Sequence, residues 1–126
     1  MASNNVEATL SVTLENGDGE DPAQIYGNIT GRFGIGSQFS LFNKLQSQRI
    51  EVRPGKFIPL SQSAVNVPGA AKEMEIEANL MDYDSLSADD EIANGKVVFL
   101  VKEAGVSETK PITGKHGSIE VKVLWG

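Results

Sequence analysis

The chain has 126 residues, 40% hydrophobic and 22% charged, the size and balance of a single globular domain over residues 1–126. Eleven basic residues against seventeen acidic ones leave a formal charge of −6, which argues against general nucleic-acid binding. Cysteine is absent, so disulfides, thiolate metal sites and cysteine nucleophiles are excluded.

Met1-Ala2-Ser3-Asn4-Asn5 has neither the basic start nor the apolar segment of a secretory signal. No apolar run is long enough to span a bilayer. Together with the lack of cysteine, this predicts a cytoplasmic protein, at most peripheral to a membrane. The first element is an alternating run: Val6, Ala8, Leu10, Val12 and Leu14 form one apolar face, and Glu7, Thr9, Ser11 and Thr13 the other. A period of two means a half-buried strand. Weaker strand candidates follow at Gln24–Thr30, Ser37–Phe42, Arg49–Val52 and Lys56–Leu60. The alternation returns at Glu73–Leu80, with Met74, Ile76, Ala78 and Leu80 inward. Lys96–Lys102 contains the unbroken run Val97-Val98-Phe99-Leu100-Val101, the pattern of a more deeply buried strand. Ile119, Val121 and Val123 alternate in the last strand, and Trp125 continues them into the core. Because Gly126 follows at once, that strand is expected at a sheet edge, open to pairing in a homo-oligomer. Turn chemistry separates the runs at Asn16-Gly17, Arg53-Pro54-Gly55, Pro68-Gly69, Asn94-Gly95 and His116-Gly117. No stretch keeps a helical period for three turns. About eight short strands between turns predict an all-β, antiparallel β-sandwich.

The charges cluster. From Glu73 to Glu91 there are eight acidic residues and no Lys or Arg. Five of them (Asp82, Asp84, Asp89, Asp90 and Glu91) crowd into one loop. A second acidic loop, Glu15-Asn16-Gly17-Asp18-Gly19-Glu20-Asp21-Pro22, follows the first strand. Carboxylates packed this closely repel one another unless solvated, protonated or neutralised by a cation. Calcium suits the last case, because it takes six to eight oxygens in flexible geometry. An EF-hand is excluded, since its sixth and twelfth positions counted from Asp82 fall on Ser87 and Ala93.

The loops resemble the calcium-binding loops of C2 domains. Asp82, Asp84 and Asp90 match that family's Asp-x-Asp with a third Asp six residues on, and Ile92 and Gly95 follow. Gly19-Glu20-Asp21-Pro22 resembles the end of its first loop, with Glu15 six positions before Asp21. The first-position ligand is Glu15 or Asp18. The resemblance implies a C2-like β-sandwich binding calcium through Glu15, Asp18, Asp21, Asp82, Asp84 and Asp90. It implies calcium-dependent contact with anionic lipid or a protein partner. Residues 31–70 match only loosely. A second likeness rests on Val6-Glu7-Ala8-Thr9, the stretch Asn16–Pro22, Tyr26-Gly27, Ser87–Ile92 and Gly95-Lys96. These are similar to an uncharacterised grass domain, some members of which are fused to ribosome-inactivating N-glycosidases. That implies a plant-like stress context and no activity.

Catalysis finds little support. His116, the single histidine, lies in a turn with no nucleophile or metal-ligand spacing around it. A glycosidase needs a cleft lined by aromatics, and the few aromatics fall mostly at core-like positions. Gly31-Arg32-Phe33-Gly34-Ile35-Gly36 lacks the Gly-Lys-Ser/Thr of a phosphate loop and reads as a bulged or twisted strand. Lys44, Arg49, Arg53 and Lys56 form a modest basic group, expected as a solvated strand face. The expectation is therefore a calcium-binding, C2-like module that is not an enzyme. The alternatives are a structural or self-assembling sandwich in which calcium rigidifies loops or bridges subunits, and a calcium-dependent carbohydrate-binding domain.

Overall fold

The computed structural model describes residues 6–34 and 36–126, with the backbone alone at Val6. Nine strands follow in order: β1 (Val6–Gly17), β2 (Ala23–Phe33), β3 (Gln38–Lys44), β4 (Ile50–Val52), β5 (Ala64–Val67), β6 (Glu73–Asp82), β7 (Asp90–Leu100), β8 (Ser107–Thr113) and β9 (Gly117–Trp125). A single 3-10 turn, Gln46–Gln48, lies between β3 and β4. No helix of the described residues is long and apolar enough to cross a membrane.

The strands form two antiparallel sheets, one ordered β5-β1-β9-β8 and the other β3-β2-β6-β7. β4 pairs with the first residues of β2, and β3 with the remainder, so the two lie end to end along one edge. Alternation explains the layering. The inward residues of β1 (Ala8, Leu10, Val12, Leu14), β6 (Met74, Ile76, Ala78, Leu80) and β9 (Ile119, Val121, Val123, Trp125) are all buried in one core. Val6, the first member of the β1 series, has its side chain outside the described residues, as do Met1–Asn5 and Ile35.

Several expectations need correction. Lys56–Leu60 is no strand. It makes a single bridge, Thr13 to Phe57, because Pro59 supplies no N–H and Gly55 turns the chain. The run Val97–Val101 is not deeply buried: Phe99 is inside, but Val98 is 36% and Leu100 56% exposed. β7 is the last strand of its sheet, and an unbroken apolar run carries no parity to say which side chains face in. β9 is not an edge, since it lies between β1 and β8. β5 and β8 were not anticipated: β5 is too short to show a period, and β8 contains Pro111 and buries only Ile112.

This topology sends four connections to one pole: the crossing from β1 to β2, the 3-10 turn, the β6–β7 loop and the β8–β9 hairpin. The two acidic loops are among them.

Candidate functional site

Asp82 is the anchor of the pole. It continues the inward alternation of Met74, Ile76, Ala78 and Leu80 and ends β6 fully buried, at 1% exposure. One carboxylate oxygen, Oδ1, accepts the backbone N–H of Gln24 on the neighbouring β2 at 2.8 Å. The other, Oδ2, is buried with no partner among the described residues. Burial foremost, with the nearby charges of Glu20, Asp90 and Asp18, pushes the Asp82 carboxyl up to about 6 against the pull of the Gln24 N–H. An unpaired buried carboxylate is expensive, so the site favours either a proton or a cation here.

Asp90 opens β7 directly opposite Asp82 in the register of the hairpin. Its carboxyl meets that of Asp18 from the β1–β2 turn, a contact that raises Asp90 above the usual carboxylate range; partial burial and the Asp18 charge add to the rise, while His116 opposes it. Two carboxyls bond to each other only by sharing a proton or a cation. Asp18 sits in the left-handed backbone region at φ 61°, which Asp tolerates better than most side chains. On its other side Asp18 lies 3.9 Å from Nδ1 of His116. The β8–β9 hairpin is held there by Glu91, whose backbone carbonyl accepts the N–H of His116 and whose Oε2 accepts that of Lys115, both at 3.0 Å.

The remaining candidates face elsewhere. Asp84 binds its own loop, accepting the Leu86 N–H at 2.8 Å and the Ser87 hydroxyl at 2.9 Å; these bonds hold it below the ordinary range. Asp21 faces Arg53 in an exposed ion pair at 3.0 Å. Glu15 is exposed at the β1 bulge, between the paired residues Leu14 and Asn16. The structure thus brings together Asp18, Asp82 and Asp90, and leaves Glu15, Asp21 and Asp84 outside that group.

Sequence reasoning passed over Glu20, Asp89 and the position of His116. Glu20 belongs with Asp82 through its charge. Asp89 is a latch: it accepts the Tyr26 hydroxyl, the Gln46 amide at 2.7 Å and the Asp84 N–H at 3.0 Å, and the Tyr26 bond chiefly keeps it low. His116, expected as an isolated turn residue, reaches the acidic pole through tertiary contact alone. The basic group is not a single solvated face. Arg53 is tied to Asp21, while Arg49 bonds Gln24 at 2.9 Å and lies 3.9 Å over the Tyr83 ring.

Chemically the pole offers hard oxygen donors, which suit calcium and not thiolate-seeking metals. As arranged, no group of three or more His, Cys, Asp or Glu side chains among the described residues stands close enough to hold an ion. The donor chemistry fits calcium, and the unpaired Oδ2 of Asp82 is the oxygen with most to gain. The placement brings only Asp18, Asp82 and Asp90 towards one another, and these three would have to draw closer to share an ion.

Fold and pole together define an all-β sandwich with a carboxylate-lined end. The chain belongs to the family described as a domain of unknown function, DUF6598, whose model matches residues 1–123. None of the curated proteins compared with the chain is similar enough to count as a relative. Among solved structures, a chain of the Cry23Aa1–Cry37Aa1 binary protein complex is 18% identical, with a TM-score of 0.69 over 97% of this chain and 98% of that one. Human GIVD cytosolic phospholipase A2 is 17% identical with a TM-score of 0.47, over 99% of this chain but only 17% of its own. The C2A domain of plant Extended Synaptotagmin 1 is 13% identical with a TM-score of 0.36, over 96% of this chain and 91% of its own. The first shares the fold; the other two overlap too loosely to bear on it.

Proposed function

We propose that the chain is a cytoplasmic calcium-binding module, C2-like in the use of its loops, that binds rather than catalyses. The observation supporting this is Asp82, buried with one oxygen unpaired and facing the charges of Glu20, Asp90 and Asp18. Asp18, Asp82 and Asp90 would hold the ion, with Glu20 closing over it from the turn. The ion would supply positive charge where four carboxyls now repel one another, and so turn the pole towards anionic lipid or an acidic partner. Leu86, 95% exposed at the tip of the β6–β7 loop, is the apolar side chain best placed to touch such a surface.

The structural alternative also has an observation behind it. Asp18 leaves the β1 sheet and Asp90 begins a strand of the other, so an ion between them would tie the two sheets. Thermal melting in calcium, in magnesium and in chelator tests the shared premise. A ligand at a hundredfold excess over its Kd stabilises by about 2.7 kcal/mol. Calcium should therefore raise the melting temperature by several degrees, reversibly, and survive a several-fold excess of magnesium, which sheds its waters reluctantly. Identical curves in calcium and chelator would remove the proposal. If calcium binds, co-sedimentation with phosphatidylserine vesicles separates the lipid-docking reading from the structural one.

A further inference from the structure

The outer face of the five-stranded sheet carries a feature that the acidic pole does not explain. Asn28 on β2 pairs in register with Asn43 on β3 and with Asn79 on β6, and Asn79 pairs with Asn94 on β7. Four asparagines therefore stand in one straight row across four strands, all exposed. Asparagine is depleted in strands because its amide competes with the ladder, and four in one row go against local preference. Departures of that kind concentrate where a surface has work to do. Asn94 donates to Glu91 at 3.0 Å. Among the described residues, the amides of Asn28, Asn43 and Asn79 have no hydrogen-bond partner in the protein.

The row forms the floor of a depression of about 450 Å³, continued by the next row, Ser40, Thr30 and Glu77. Beside the row, Glu75 is bound to Arg32 at 3.0 Å and to Lys96 at 3.7 Å, while Glu77 lines the depression and Glu91 accepts from Asn94, so three acids face two bases. An anion is not drawn here, and no group of three His, Cys, Asp or Glu side chains among the described residues stands ready to hold a cation. A protein partner would need apolar anchors at the centre of its interface, and the depression offers only Ala78. What remains unspent is a set of neutral groups, each amide both donor and acceptor, which is the complement of a ligand made of hydroxyls. Strands lie about 4.8 Å apart, close to the length of one sugar ring, so four amides span about 14 Å, or roughly three rings.

We infer that this face is a binding site for a neutral oligosaccharide lying across the strands along Asn43, Asn28, Asn79 and Asn94. The site is independent of calcium and stands in mid-sheet, three residues along β6 from Asp82. Its affinity is modest, because hydrogen bonds to such groups replace bonds to water and no aromatic ring among the described residues lines the depression.

The test is a side-chain amide NMR titration of the whole chain in excess chelator, so that failure of the calcium reading cannot disturb it. Cellohexaose, xylohexaose and mannohexaose serve as probes. Saturable shifts of the Asn28, Asn79 and Asn94 amides with at least one of them are expected. Asn79→Ala should weaken that binding about fivefold, one hydrogen bond's worth, and Thr109→Ala on the other sheet should not change it. Circular dichroism melts of both variants establish that the fold is kept; if Asn79→Ala melts early, Asn79→Asp, which keeps shape and loses the donor, takes its place. The inference is overturned if no probe moves these amides, or if Asn79→Ala binds as well as the native chain. It is also overturned if the amides shift with protein concentration alone, which would mark the face as a contact between copies.

Discussion

Asp82 owes its behaviour to parity: the same alternation that buries Leu80 carries a carboxyl into the edge of the core. Its ordinary value is 3.8 and the fold raises it to about 6. Between those values the folded chain holds more protons than the unfolded one, so this group's contribution to stability is full below about 4 and is lost as the pH rises to about 6. Each unit is worth about 1.4 kcal/mol, which puts the loss at roughly 2–3 kcal/mol at neutral pH. In chelator, Asp82→Asn should therefore melt higher than the native chain at pH 7.5, and the gain should vanish near pH 4. In calcium the same substitution should lose the ion's stabilisation. Equal melting of the two proteins at pH 7.5 would show that Asp82 is already satisfied. Asp84 and Asp90 differ in the same terms. Asp84 spends its oxygens on Leu86 and Ser87, so Asp84→Asn should leave much of the calcium response in place, whereas Asp90→Asn should remove it. Isothermal titration of both variants decides between that ranking and its reverse.

At the scale of elements, the pole depends on loops being latched to strands. Asp89 draws the β6–β7 loop, the 3-10 turn and β2 together through Asp84, Gln46 and Tyr26. Asp89→Ala leaves a half-buried tyrosine hydroxyl unpaired, at a cost of about 1–2 kcal/mol. Hydrogen exchange should quicken in residues 83–89 and 46–48 together; faster exchange in one segment only would show that they are not coupled. The β8–β9 hairpin is seated by close approach. A Cβ at Gly114 would lie 2.6 Å from the Ile92 carbonyl carbon and 2.7 Å from the Glu91 oxygen, both backbone atoms with no room to give. Gly114→Ala should lift the hairpin, cost about 1–3 kcal/mol and part His116 from Asp18. A melting temperature unchanged by this substitution would mean that the hairpin rides freely on β7.

Across the whole molecule, two sheets share one core, and Phe99 and Ile92 fill it from β7, the strand at the open side of its sheet. Phe99→Ala should cost about 3–5 kcal/mol, because a close-packed interior collapses only partly around a lost ring. Urea unfolding should show a lower midpoint with an unchanged slope. A reduced slope would mean that the sheets part separately.

The all-β class and the inward faces of β1, β6 and β9 followed from the sequence alone, because a half-buried strand writes its burial as a period of two. The acidic loops were equally plain as clusters of like charge. Strands whose burial is one-sided at an edge were not: β8 and β7 show Pro111 and an unbroken apolar run where a clean alternation would be needed. The place of β9 in mid-sheet is set by what pairs with it from β1 and β8, far away in the chain. The same distance hid the site. Spacing grouped Asp82, Asp84 and Asp90 as equals, yet Asp84 bonds its neighbours two and three residues on, while Asp82 is governed by β2 and Asp90 by a turn from the other sheet. The row of four asparagines is invisible along the chain for the same reason. Residues 28, 43, 79 and 94 become neighbours only through strand register, which tertiary pairing decides.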